Sequence, residues 1–176
     1  MVVVNDEYFL QGDVQQVKAM LEAQTKKQVG EDAALERAVS DVLVLQEAQR
    51  RGISVTDEEA EQHLEQVIAK QGLTLEKVKG DITSKGESYE KSLENYKDLV
   101  IIERVIKDVT SDIEVSDEEA RAYYDAKKDV LFTGAVVMPY ENIAGQLKLA
   151  LAQQKQQQEF SDFVNSLKES ADIEYL

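Results

Sequence analysis

The clearest strand-like runs of this chain stand at its two ends, and that placement limits its topology more than any other feature. Val2-Val3-Val4 is a short β-branched run, and Asp172-Ile173-Glu174-Tyr175-Leu176 alternates apolar and polar residues. A strand on its own leaves backbone N–H and C=O groups unpaired, so the natural mate of each end is the other. The pattern therefore predicts a small two-stranded sheet pairing the N- and C-terminal segments, with the first and last residues locked into one unit.

Between these ends the sequence reads as helix. There is a single proline, Pro139, and apolar residues recur at spacings of three and four. The spacing predicts helices over residues 10–29, 32–51 (ended by Gly52), 57–71 (ended at Gly72), 74–85, 89–109 and 117–128, and a long one over 141–170. Two helix starts carry the same signal sixty positions apart, Ile53-Ser54-Val55-Thr56-Asp57-Glu58-Glu59 and Ile113-Glu114-Val115-Ser116-Asp117-Glu118-Glu119. Thr56 and Ser116 can accept a bond from a first-turn N–H, and Glu59 and Glu119 can bond back, which makes each a capping box. A Ca²⁺ loop would need ligands at alternating positions and a turn glycine, which neither copy has. Val42-Leu43-Val44-Leu45 is apolar on every side and implies a helix buried at the centre. The last helix is apolar at Ile143, Leu147 and Leu151, polar through Gln153-Gln154-Lys155-Gln156-Gln157-Gln158, and apolar again from Phe160. Such a helix bridges two packed regions through solvent.

Composition removes several classes of function. Twenty basic against thirty-five acidic residues give a formal charge of −15. The basic pairs Lys26-Lys27, Arg50-Arg51 and Lys127-Lys128 are isolated, so nucleic acid and anionic membrane surfaces are disfavoured as partners. The absence of cysteine rules out disulfides, thiol nucleophiles and thiolate metal sites. No stretch has the length of a membrane span or the form of a signal peptide. Met1 directly before a strand-like run suits a chain whose leader has been removed. The one histidine, His63, has no partner in the sequence for a proton relay, and its expected place is the surface or core edge. No P-loop, Rossmann fingerprint or nucleophile elbow occurs. No catalytic residue, cofactor or metal site is expected.

The segment from 129 to 140 breaks the helical pattern and is rich in apolar residues, with Val130, Leu131, Phe132, Val136, Val137, Met138 and Tyr140 following Tyr123 and Tyr124. These residues either fill a core or interface or form an exposed, adaptable surface that grips partners.

Several motifs together resemble the chaperone module of SurA-like and PrsA-like proteins. They are Val-Asn-Asp-Glu near the start, Leu43-Val44-Leu45-Gln46-Glu47-Ala48 followed by Arg51-Gly52-Ile53-Ser54-Val55-Thr56-Asp57-Glu58-Glu59, Gly86-x-Ser88-Tyr89-Glu90, and Val115-Ser116-Asp117-Glu118-Glu119 with Tyr123-Tyr124. The tail, from Gln153-Gln154-Lys155 through Phe160 to Ala171-Asp172-Ile173-Glu174-Tyr175-Leu176, resembles the closing helix and strand of that family. Departures are Asp6 where the family prefers glycine, Tyr8 where it often has proline, and Glu87 in place of an apolar residue.

The resemblance implies a mainly α, multi-helix SurA-like fold acting as a single chaperone domain over 1–176. Parts 1–128 and 139–176 would pack together, and 129–138 would be a short linker where relatives insert a parvulin-type prolyl isomerase domain. No parvulin histidine pair is present, so the implied function is an ATP-independent holdase without its enzyme half. Its partners would be unfolded or partly folded polypeptides, bound in a cleft between helical lobes, with Tyr123, Tyr124, Phe132 and Met138 as client contacts. Alternatives are a prolyl isomerase with residual or lost activity and a helical adaptor with one fixed partner; a homodimer is compatible with each. Relatives work outside the cytoplasm, which implies an extracytoplasmic location and leaves a cytoplasmic one open.

Overall fold

The computed structural model describes residues 2–5, 7–132 and 137–175. Positions 133–136 of the expected linker, and Asp6 with its departure from the family pattern, lie outside the described residues. The described chain runs β1 (Val2–Val4), β2 (Glu7–Phe9), α1 (Gln11–Thr25), α2 (Glu31–Arg51), α3 (Asp57–Ala69), α4 (Leu75–Ser84), α5 (Tyr89–Val109), α6 (Asp117–Leu131), α7 (Tyr140–Ser170) and β3 (Ile173–Tyr175). It divides into two compact units, Met1–Val105 with Val164–Leu176, and Ile106–Phe163.

In the first unit the terminal strands pair as the sequence predicts. β1 is antiparallel to β3, with Val3 opposite Glu174. The structure adds a third strand, since β2 pairs antiparallel with β1 with Val3 opposite Tyr8, and the order is β2-β1-β3. The turn at Asn5 makes this possible. Asn5 adopts φ 54°, a left-handed conformation that asparagine tolerates better than most residues. Its N–H donates to the Asp172 carbonyl at 2.7 Å, its Oδ1 accepts from the Asp172 N–H at 3.1 Å, and its Nδ2 donates to Gln46 Oε1 at 2.6 Å. One side chain thus joins both ends of the chain to α2.

Val2 and Val4, wholly buried, point from β1 onto Val39, Val42 and Leu43 of α2, and Leu35, Phe9, Leu167, Ala171 and Ile173 close the cluster. Of the all-apolar run in α2, Val42, Leu43 and Val44 are buried and Leu45 is half-buried. Gly52 ends α2 at φ 73°, and the Ile53 N–H returns to the Ala48 carbonyl at 2.8 Å. A second cluster of this unit joins Val55 and Ala60 to Leu93 and Val100 of α5, with Tyr89, Tyr96 and Ile101 against it. α1 is shorter than its periodicity suggests, because Lys26 turns to φ 56° and its N–H closes on the Glu22 carbonyl at 2.9 Å.

In the second unit, α6 and α7 share a core of Ala120, Tyr124, Tyr140, Ile143, Leu147 and Leu151. α7 starts at Tyr140, directly after Pro139, and runs unbroken through its glutamines to Ser170. Gln153, Gln154, Gln157 and Gln158 are exposed, whereas Leu151 before them and Val164 after them are buried. The helix passes from one unit to the other at Phe163–Val164, beyond the glutamines.

The two helix-start signals are built differently. At α3 both bonds of the box form: the Glu59 N–H donates to Thr56 Oγ1 at 3.2 Å and the Thr56 N–H to Glu59 Oε2 at 2.9 Å. At α6 the Glu119 N–H donates to Ser116 Oγ at 3.1 Å, but the Glu119 carboxylate pairs with Lys155 Nζ at 2.8 Å. The second cap therefore gives its carboxylate to fixing α7 against α6.

One buried carboxylate stands out among the described residues of the first unit. Glu47, its side chain 8% exposed, bonds Arg50 Nε at 2.6 Å and Arg51 Nε at 2.7 Å. The Arg50 hydrogen bond is the main cause that lowers its pKa from 4.5 to about 2, against the opposing effect of burial. A depressed carboxylate pKa stabilises the fold above the unfolded value, and that contribution is lost as pH falls through the folded one.

Two outcomes are expected. Val4→Ala removes two buried methyl groups and leaves a cavity under β1, and should cost about 2–3 kcal/mol in urea unfolding followed by far-UV circular dichroism. Lowering pH from about 4.5 to about 2 should destabilise the protein, and Glu47→Gln should remove on the order of 1–3 kcal/mol of that loss, with Arg50 too exposed for the full Coulomb value.

Candidate functional site

An open apolar surface of the first unit follows from α1. This helix carries Val14, Val17, Met20 and Leu21, yet none of its residues is fully buried. It packs along α2 but turns part of its apolar face toward a groove. The groove has a volume of about 870 Å³ and is walled by β2, α1, α2 and α5. Phe9, Val17, Met20, Leu45, Leu99 and Ile102 supply its apolar lining. Tyr8 at its rim is 69% exposed and Leu99 38%, so large apolar groups face solvent here. A second cavity of about 460 Å³ continues along α2 and α5 and is lined in part by Ile53 and Ile101. The two cavities share Glu7, Leu45 and Asp98.

The charged groups that line the groove are all acidic, beside the neutral Gln16, Ser92 and Asn95. Asp13 accepts from the Leu10 N–H at 2.9 Å and so caps α1. Asp41 accepts from Arg37 Nε at 2.7 and 2.8 Å; burial nonetheless raises its pKa, outweighing the guanidinium. Asp98 is raised as well, first by partial burial and then by Glu94, with Lys97 opposing and Asp41 adding to the shift. Tyr96, in the same wall, shares a 2.8 Å hydrogen bond with His63 Nδ1, while His63 Nε2 lies 3.5 Å from Glu103. His63 thus sits at the core edge, as its sequence context suggests, and steadies a groove residue.

The four residues expected to touch clients lie in the second unit, and they are brought together. Tyr124 is buried, its hydroxyl donates to the Met138 carbonyl at 2.6 Å, and its ring meets Phe132 and Tyr140 edge-on at 6.5 and 5.8 Å. Tyr123 and Phe132 are half-buried against the same cluster. Met138 is 45% exposed and Val137 46%. Tyr140 is fixed from beneath by its hydroxyl bond to the Asp117 carbonyl at 3.1 Å and from above by Arg121, 4.5 Å from the ring centroid. Tyr124 is therefore a support for this patch, and Met138 is its most exposed member of the four.

The groove residues were not singled out by sequence, because β2, α1, α2 and α5 contribute them from positions 7 to 102. A signal was present in α5. Leu93, Tyr96, Leu99, Val100, Ile102 and Val105 cover more than one helix face, which implies a second apolar surface beside the one that packs the core.

Among the described residues, no three His, Cys, Asp or Glu side chains stand together in an arrangement that could hold a metal ion. No described helix is long and apolar enough to cross a membrane.

Residues 1–106 match the family model of the SurA N-terminal domain. Chaperone SurA of Pseudomonas putida is 32% identical over 94 residues, covering 53% of this chain and 22% of that protein. Chaperone SurA of Hahella chejuensis is 28% identical over 130 residues, covering 69% of this chain and 30% of that protein. Chaperone SurA of Escherichia coli O157:H7 is 28% identical over 116 residues, covering 61% and 26%. The chain thus spans between about a fifth and a third of the length of these curated relatives. Among solved structures, a chain from the work on the Campylobacter jejuni virulence factor PEB4 and periplasmic protein Cj1289, described as two structurally related SurA-like chaperones, superposes with a TM-score of 0.74. It is 16% identical and the match covers 99% of this chain and 98% of that one, a likeness of fold. The residues lining the larger groove run from Glu7 to Ile102, all inside the matched segment. The chain belongs to the SurA N-terminal domain family.

Proposed function

We propose that this protein is an ATP-independent holdase that binds unfolded or partly folded polypeptides, with the groove of the first unit as its principal client surface. The observation that carries this reading is an apolar groove left open within the very residues that match the family. A helix such as α1, with apolar residues of which none is fully buried, offers surface for a partner to cover. Met20 adapts its shape to varied side chains at little cost, which suits a binder of many sequences.

Tyr123, Tyr124, Phe132 and Met138 are proposed as a second contact patch, with Met138 and Phe132 meeting the client and Tyr124 holding them. The whole of 1–176 is proposed as one chaperone module, and 129–138 as the place where relatives carry an isomerase domain. Without that domain the chain is read as lacking prolyl isomerase activity. Its location is proposed to be extracytoplasmic, by its kinship with SurA chaperones. The acidic surface keeps complexes with sticky clients soluble.

Stoichiometric protein should suppress light scattering by several unrelated unfolded clients without nucleotide. Met20→Gln with Leu99→Gln should weaken that protection several-fold while leaving the thermal midpoint nearly unchanged. Protection of no client, or of one client alone, would favour the fixed-partner adaptor. Prolyl isomerisation above background in a protease-coupled assay would overturn the non-enzymatic reading.

A further inference from the structure

The two cavities of the first unit are not separate sites, because Glu7, Leu45 and Asp98 line both. An extended segment lying along β2, α2 and α5 would pass from the pocket of Phe9, Met20 and Leu99 across Leu45 to that of Ile53 and Ile101. At the crossing it meets two carboxylates.

The charge there is one-sided. Among the described residues that line the two cavities, the acidic ones are Glu7, Asp13, Asp41 and Asp98, and none is Lys, Arg or His. Asp13 is engaged by the Leu10 N–H and Asp41 by Arg37. The neighbouring Lys97 is drawn to Asp57 at 2.8 Å and Glu94 at 3.2 Å. Glu7 and Asp98 thus line the junction, and the two cations named beside this lining, Arg37 and Lys97, are paired with other carboxylates. A carboxylate beside an apolar wall gains most from a cation that arrives with apolar neighbours, because those neighbours exclude water from the pair.

We propose that the groove selects extended client segments carrying a Lys or Arg between two large apolar side chains, the cation meeting Glu7 and Asp98 and the apolar groups filling the two cavities. The inference rests on the chaperone reading and adds a preference to it. Generic stickiness would favour apolar content alone, whereas this arrangement ranks segments of equal apolar content by the charge between the apolar groups.

The test uses three fluorescein-labelled unstructured peptides that differ at one position, with Lys, Gln or Glu flanked by Leu and Phe, and reads binding to the whole protein by anisotropy at low ionic strength. The Lys peptide should bind about threefold or more tightly than the Gln peptide, and the Glu peptide most weakly, a margin of the size exposed ion pairs provide. Glu7→Gln with Asp98→Asn should erase the Lys-over-Gln margin. A control with the same charge change, Glu118→Gln with Asp125→Asn in the second unit, should keep the margin. Equal binding of Lys and Gln peptides, or a margin lost equally in the control, would overturn the selectivity while the groove reading stands. Binding of all three peptides undiminished by Met20→Gln with Leu99→Gln would move the client surface elsewhere and overturn both. No binding by any peptide would overturn both as well.

Discussion

The strand β1 is the member on which the first unit depends. It is three residues long and lies between the strand that follows it and the strand that ends the described chain, with its two inner valines sealed against α2. A sheet this small has little stability of its own, so its persistence comes from the helix beneath it. α2 in turn owes its central position to being covered by β1. Asn5 makes the dependence mutual, since its side chain bonds both Asp172 and Gln46. Sheet, central helix and chain closure are one cooperative arrangement.

That arrangement explains how an apolar groove can stay open without the unit collapsing into it. β2, α2 and α5 are each held on another side, by β1, by the sheet valines and by the Val55–Ala60 cluster. They form three fixed walls, and α1 forms the fourth without burying any residue completely. The ion pair between Arg37 and Asp41 and the capping bond of Asp13 place polar groups in those walls, which limits how far apolar surface can close on itself. Collapse would strip water from these charged groups, and taking even a paired charge out of water is costly.

Much of this was legible in the sequence, and the parts that were not share a cause. The seven described helices, the stop at Gly52 and the uninterrupted last helix follow from local periodicity and caps, and the pairing of the ends from the unmet backbone groups of two isolated strands. β2 was missed because Glu7-Tyr8-Phe9 carries no distinctive alternation; it becomes a strand through the turn at Asn5 and the free edge of β1. The second capping box looked identical to the first, yet Lys155, far along the chain, takes its glutamate. Tyr124 is indistinguishable from Tyr123 by composition, and only the packing of α7 on α6 puts it beneath the surface. The groove is the extreme case, drawing its walls from four elements whose neighbourhood no local pattern records. The family motifs did reach the right fold, because their order and spacing encode non-local packing.

The division of the chain into units also sets an order of assembly. Ile106–Phe163 is one continuous stretch, whereas the other unit is drawn from residues 1–105 and 164–176. During synthesis the continuous unit can close once Phe163 is available, and its α7 is then already a started helix. The other unit waits for Tyr175, because β1 has no second neighbour until β3 arrives, and bringing such distant residues together is the slow, entropy-limited kind of contact. Until then the cluster of Val2, Val4 and the apolar centre of α2 lacks Leu167, Ala171 and Ile173. A protein of this design spends the interval before β3 arrives as an unfinished, aggregation-prone chain of the sort it is proposed to protect.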